Sequence, residues 1–379
     1  MSHNIANSNA DLGESIMQRV LELAAQGTAT TQPNPRVACV IVNNGEIVGE
    51  GVHQRAGEPH AERLALEQAG ERARGGTAYV NLEPCCHQGR TPPCTDGLID
   101  AGISKVIAAM RDPNPLVEGG GFEMLTAAGI EVEHGLMEEQ ARWLNRGFVS
   151  RMTRGRPWVT LKTGATLDGR TAAYDGTSKW ITSAEARIRV QELRASSSAV
   201  ITGIGTVLAD DPNMDVRIDA AERQPLRVVL DSHLQMAESA RIIGDDGQCH
   251  VFTLSQDEER IDSLSAAGVE VIVLSDLSSG RINLSEMLSE LGKWQCNEVL
   301  IEAGSSLSGA FIESGLVDEL ALFYAGSILG DKAQSMFQFE QPVTFDERTE
   351  FVINSTEMIG PDVFVQALNQ QSWQLLNQA

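Results

Sequence analysis

The chain has 379 residues, a formal net charge of −23, and 42% hydrophobic and 21% charged residues. That length suggests two or three globular domains with ample core, and the acidity argues against a nucleic-acid backbone as partner, leaving a small substrate as the expectation. No apolar run approaches the length of a membrane span, and Met1 to Glu14 have neither the basic nor the apolar region of a secretory signal, so no membrane partner is expected and the cytoplasm is the expected compartment.

In chain order, Ile16, Val20 and Leu23 predict a helix over 15–27 that stops at Gly27. Pro33-Asn34-Pro35 reads as a turn. The runs 37–42 and 46–52, joined by Asn43-Asn44-Gly45, read as a hairpin. His60 is expected to open the next helix, with Glu62 on its first turn. There, backbone amides favour an ionised carboxylate. A strand over 77–82, a loop, a short helix over 95–101, a strand over 105–110, a helix over 122–128, a strand over 130–134 and a helix to about 145 complete an α/β layered domain.

The polar, basic stretch from Ser150 to Pro157 breaks this pattern and marks the expected boundary between domains 1–153 and 154–379. The first carries 12 Lys+Arg and 19 Asp+Glu (−7), the second 17 and 33 (−16). Further strands are expected over 158–162, 199–202, 226–230, 250–254, 269–274 and 298–301, with helices over 184–195 and 307–313. Six cysteines in so long a chain do not make a disulfide framework. Cys39, Cys249 and Cys296 lie in or beside apolar runs and read as buried thiols, while the clustered remainder points to metal or catalysis.

The chemistry concentrates in His60-Ala61-Glu62 and in Pro84-Cys85-Cys86-His87-Gln88-Gly89-Arg90-Thr91-Pro92-Pro93-Cys94. Zinc deaminases bind the metal through one His and two Cys, and a nearby Glu that is not a ligand shuttles protons. Here nine positions separate the outer cysteines, unlike the usual C-x-x-C. Adjacent Cys85 and Cys86 point to opposite sides of an extended segment. His60, Cys85 and Cys94 are therefore the expected ligands, and Glu62 the catalytic residue.

In the second half, Gly203-Ile204-Gly205-Thr206 follows a strand but lacks a third glycine, so it is not a dinucleotide fingerprint, and no Walker A motif is present. Residues 302–309 lie between a strand and a helix. Their small side chains suit an anion at the helix start and equally an ordinary tight turn. Lys162, Arg170, Arg187, Arg194 and Arg217 stand out in an acidic half. Each is explained by solvated pairing, and as a set they would suit one phosphate.

From about residue 13 to about 370 the chain resembles the bacterial bifunctional riboflavin-biosynthesis family, RibD. The resemblance is carried by Pro33-Asn34-Pro35-Arg36-Val37, by His60-Ala61-Glu62, by Asn81-Leu82-Glu83 running into the Pro84–Cys94 stretch above, and by Leu167-Asp168-Gly169-Arg170-Thr171, Trp180-Ile181-Thr182, Thr206-Val207-Leu208-Ala209-Asp210-Asp211-Pro212 and Ile301-Glu302-Ala303-Gly304. The nine-residue cysteine spacing is that family's own pattern. The resemblance implies an N-terminal cytidine-deaminase-like α/β/α layered domain and a C-terminal dihydrofolate-reductase-like α/β domain. The first would use one zinc ion to deaminate 2,5-diamino-6-(phosphoribosylamino)pyrimidin-4-one, and the second would use NADPH to reduce the product's ribose. By position, Gly164, Trp180, Thr206, Asp210, Ser232, Gly304, Ser305 and Ser306 would contact NADPH. Ser178, Arg194, Met214, Arg217 and Glu302, with Lys162, would contact substrate. A homo-oligomer, dimer or tetramer, is also expected. Ala38 stands where the family usually has Gly, and Asp215 where Thr is common. Two other readings are a deaminase of free bases or nucleosides with a non-catalytic second domain, and a binding protein with structural zinc. Glu62 argues against the latter, since a structural site needs no proton shuttle.

Overall fold

The structure is a computed structural model that describes residues 2–27, 29–88, 92–218, 223–246, 248–275 and 280–377. The motif positions Gly89, Arg90 and Thr91 lie outside the described residues. The chain divides into two compact units, one running to Arg154 and the other over Gly155–Leu375.

The first unit contains α1 (Ser2–Ala25), β1 (Ala38–Asn43), β2 (Glu46–Val52), α2 (Ala61–Ala69), β3 (Thr77–Val80), α3 (Cys94–Asp100), β4 (Lys105–Ala108), α4 (Gly120–Ala127), β5 (Glu131–His134), α5 (Glu138–Leu144) and α6 (Arg146–Arg154). Its five-stranded sheet has the order β2-β1-β3-β4-β5. The β1–β2 hairpin forms with a bulge between Ile41 and Val42, and β3, β4 and β5 run parallel. α2 meets the sheet through Ala61, Ala65 and Ala69, all buried at helical spacing. The approach is close because β2 carries glycine: a Cβ on Gly51 would stand 2.1 Å from the Ala61 carbonyl oxygen. This contact seats the first turn of α2, which holds His60 and Glu62.

The expected interruption at Ser150 is not where the helix ends. α6 runs through Arg154, Ser150 is fully buried, and the Arg154 guanidinium donates to the Ser150 hydroxyl at 2.7 Å. Polar side chains there pair with each other rather than break the helix. α1 also begins earlier than residue 15.

The second unit contains β6 (Trp158–Thr166), β7 (Arg170–Ala172), α7 (Ala184–Ser196), β8 (Ala199–Gly203), α8 (Ile204–Asp210), β9 (Leu226–Leu230), β10 (Cys249–Thr253), α9 (Glu258–Ala266), β11 (Val269–Val273), α10 (Leu284–Lys293), β12 (Glu298–Ile301), α11 (Ser305–Glu313), β13 (Glu319–Ala325), β14 (Gln334–Ser335), β15 (Phe351–Ile359) and β16 (Asp362–Asn369). Its nine-stranded sheet has the order β11-β10-β9-β8-β12-β6-β13-β16-β15. Strands β11 to β13 in that order run parallel, and β16 and β15 close the edge antiparallel. The inner strands are apolar on both faces, as a sheet covered on both sides requires. Ile201 and Phe252 enter one core, and Val200 and Val251 the other. No strand is expected from the sequence at β13, β15 or β16. β15 is exposed at nearly every position and so carries no alternating signal. Cys39, Cys249 and Cys296 are buried, as expected.

Candidate functional site

His60 is the extended residue that caps α2, Cys85 lies in the loop after β3, and Cys94 is the first residue of α3. The loop between the cysteines closes on itself: the Thr95 N–H donates to the Cys85 carbonyl at 3.2 Å and the Cys94 N–H to Cys85 Sγ at 3.4 Å. That closure is how a nine-residue spacing brings two sulfurs together. Cys85 Sγ stands 3.5 Å and Cys94 Sγ 3.3 Å from His60 Nδ1, and the three atoms lie within 4.8 Å of one another. A nitrogen and a sulfur on one tetrahedral zinc stand about 3.6 Å apart. One imidazole and two thiols are also a donor set that suits zinc, so the residues fit the metal.

The hydrogen bond to Cys94 draws the Cys85 thiol down to about 4 despite burial, and the same bond and burial push Cys94 up. The hydrogen bond to Cys85 raises His60. Glu62 is only 3% exposed. Burial, then the Cys85 charge, raises its carboxyl above the ordinary value, so desolvation outweighs the helix-start effect expected from sequence.

Further polar groups near this cluster were not singled out in the sequence. His53 Nδ1 donates to the Pro59 carbonyl and its Nε2 accepts from Asn34 Nδ2, both at 3.1 Å, while its ring packs edge-on to His60 at 5.4 Å. Burial lowers its pKa and favours the neutral ring. Asp112 is pushed up to about 7 by burial. Asn34 lies in the Pro33-Asn34-Pro35 turn expected from sequence, whereas His53 and Asp112 fall in no motif there.

In the second unit, Lys162 on β6, Arg194 near the end of α7 and Glu302 just after β12 converge. Arg194 Nε and Nη2 donate to Glu302 Oε1 and Oε2 at 2.5 and 3.1 Å, and Lys162 Nζ lies 3.4 Å from Oε2. Burial opposes ionisation of Glu302, but the Lys162 and Arg194 charges hold it at about 2. Arg194 also donates to the Asp215 carbonyl at 2.9 Å and faces Met214 Sδ at 3.6 Å.

The five expected cations divide. Arg187 lies 4.4 Å over the Trp180 ring, Arg170 faces Asp168 at 3.8 Å, and Arg217 is an exposed side chain 3.7 Å from Asp215. Trp180 is exposed, its neighbour Lys179 pairs with Asp210 at 3.1 Å, and Ser178 is half-buried. Gly164 on β6 faces the Thr182 side chain, Thr206 sits on α8, and Ser232 follows β9 half-buried.

β8 and β12 are neighbours, but after β8 the chain steps out to β9, β10 and β11, and after β12 it crosses to β13. Ligands of such sheets sit at the carboxyl ends of strands where the order reverses. Gly205 and Gly304 stand just past those two ends, each with nothing within 4 Å of a would-be Cβ. The Ser305 hydroxyl accepts from Gln334 and the Ser306 hydroxyl donates to Gln338, both at 3.0 Å.

Two family models match: the cytidine and deoxycytidylate deaminase zinc-binding region over residues 11–110, and the RibD C-terminal domain over residues 157–365. Riboflavin biosynthesis protein RibD of Escherichia coli (strain K12) is 46% identical over 362 residues, covering 92% of this chain and 97% of that protein. The Haemophilus influenzae protein of that name is 46% identical over 359 residues, with 92% and 95% covered. Among solved structures, Acinetobacter baumannii RibD (form 1) superposes with a TM-score of 0.88 at 42% identity, covering 96% of this chain and all of that one. A Thermotoga maritima diaminohydroxyphosphoribosylaminopyrimidine deaminase/5-amino-6-(5-phosphoribosylamino)uracil reductase gives 0.86 at 35% identity, with 95% and 99% covered.

Proposed function

The chain belongs to the RibD family and is a bifunctional deaminase and reductase of riboflavin biosynthesis, and on that premise we propose how its residues divide the work. The first unit hydrolytically deaminates 2,5-diamino-6-(5-phosphoribosylamino)pyrimidin-4(3H)-one. The second reduces the ribose of the resulting 5-amino-6-(5-phosphoribosylamino)uracil to a ribityl chain. The reading of a non-catalytic second domain is set aside by the match to the RibD C-terminal domain.

His60, Cys85 and Cys94 hold one zinc ion. When bound, zinc supplies Lewis acidity that makes water nucleophilic near neutral pH. Glu62 takes the proton of the attacking water and passes it to the departing amine nitrogen, and ammonia leaves. Its burial keeps bulk water from competing for that proton. What supports this reading is one observation: a buried carboxylate two residues from an imidazole that meets two thiols from the two ends of the β3–α3 connection.

In the second unit NADPH would be held at the β8/β12 crevice by Gly164, Trp180, Thr206, Asp210, Ser232 and the turn Gly304-Ser305-Ser306. The cofactor supplies the hydride. Glu302, kept ionised by Lys162 and Arg194, orients the substrate together with Ser178, Met214 and Arg217. Substrate is small, no nucleic acid takes part, and among the described residues no helix is long and apolar enough to cross a membrane. The protein works in the cytoplasm as a homo-oligomer, dimer or tetramer. The test is zinc analysis together with NADPH consumption on the pyrimidine substrate: active protein that binds no zinc, or protein that deaminates but never oxidises NADPH, refutes the assignment.

A further inference from the structure

Glu83 precedes Pro84-Cys85 and is 3% exposed. Its carboxylate accepts four backbone N–H groups. Oε2 accepts from Asp112 at 3.2 Å and Gly119 at 3.0 Å, and Oε1 from Gly121 at 2.9 Å and Phe122 at 3.2 Å. All four donors belong to the segment that leaves β4 and enters α4, where amides have no intrahelical partner. The Glu83 N–H donates to the Met110 carbonyl at 3.0 Å. The same two segments touch at two further points. A Cβ on Gly121 would stand 2.1 Å from the Pro84 carbonyl oxygen, and one on Gly120 would stand 3.1 Å from Cys86 Sγ. Residues 83–86 are thus pressed against 110–122 with no room for slack.

A carboxylate that only closed α4 would not need to sit two residues before a candidate ligand, nor bind N–H groups on both sides of the Asp112–Gly119 turn. We infer that Glu83 is a positioning residue of the deaminase: its carboxylate clamps the Cys85 loop onto the 112–122 segment and so sets where the Cys85 sulfur stands relative to His60 and Cys94. The inference rests on the zinc-site reading. Glutamine keeps the shape but turns an amide NH₂ toward two N–H donors. Aspartate keeps the charge but withdraws both oxygens by one methylene.

The experiment measures zinc release to a chromogenic chelator and deaminase kcat and KM on the full chain for wild type, Glu83→Gln, Glu83→Asp and Gly121→Ala. Reductase turnover of the same samples reports folding of the second unit. Residues that orient metal ligands are worth about 10- to 100-fold in metal affinity or activity. Zinc release should therefore accelerate by roughly that factor in all three variants, with kcat falling more than KM rises and reductase turnover unchanged. Wild-type zinc release and kcat in a folded Glu83→Gln overturn the inference, and so does full rescue by Glu83→Asp, which would make charge alone responsible. If the Glu83 variants do not fold, Gly121→Ala decides: wild-type zinc release there overturns it. Wild-type protein that binds no zinc would overturn both this inference and the zinc-site reading. Zinc held by wild type and released unchanged by the variants overturns this inference alone.

Discussion

Glu62→Gln separates the proposed proton carrier from everything around it. The side chain is 3% exposed, so an amide of equal volume fills the same space on the first turn of α2 and leaves His60, Cys85 and Cys94 where they are. What it removes is the ability to take and return a proton. General acid–base catalysis by a positioned side chain contributes about 10²–10⁴-fold, or about 3–5 kcal/mol at ~1.4 kcal/mol per tenfold. Burial places the loss in the upper half of that range, because bulk water cannot stand in as carrier. The reductase unit begins at Gly155 and contains none of these residues. Glu62→Gln should keep one equivalent of zinc, lose deamination, and still oxidise NADPH when given the deaminated substrate directly. The three quantities are measured separately, by metal analysis and two turnover assays. Deamination at the wild-type rate would refute the role of Glu62. Loss of zinc would make it a ligand, and loss of both activities in folded, zinc-loaded protein would refute two independent sites.

Cys85→Ser and Cys94→Ser should each lose zinc, because a hydroxyl replaces a thiolate poorly, while Cys86→Ser should retain it. Metal content by atomic emission decides, and a full equivalent in Cys94→Ser would overturn the ligand set. Arg217→Ala should raise the reductase KM at least roughly tenfold, the worth of one charge-assisted phosphate contact, with little change in melting temperature, since the side chain is exposed. An unchanged KM removes Arg217 from the site. Arg194→Ala should instead cost about 3–5 kcal/mol of stability, because it leaves buried Glu302 with Lys162 alone; a denaturant midpoint within error of wild type would contradict this. Glu302 held at about 2 rather than 4.5 contributes ~3 kcal/mol above pH 4.5. Being a lowered carboxylate, it loses that contribution as pH falls from 4.5 toward 2. The stability gap between wild type and Glu302→Gln should therefore narrow across that window in thermal unfolding, and a constant gap would contradict the ion triad.

The two-residue offset between His60 and Glu62 was legible because it is local: a cap and the first turn of a helix need only the pattern of Ala61, Ala65 and Ala69 behind them. The apolar runs that became β8, β10 and β12 were legible for the same reason, since a strand covered on both faces announces itself in consecutive residues. β15, bare to solvent at nearly every position, carried no such signal. Composition and charge alone pointed to a small substrate, because they act through the whole molecule rather than through any contact. Tertiary structure decided what depends on sheet order. Cys85 and Cys94 reach His60 across 25 and 34 residues only because the loop after β3 folds back on α3. Lys162 and Arg194 reach Glu302 across 140 and 108 residues because β12 inserts between β8 and β6. Periodicity carries no record of which strand lies beside which. It also carried no record of burial strong enough to raise the Glu62 carboxyl against its helix start, or of the four amides that Glu83 gathers from the segment between β4 and the first turn of α4.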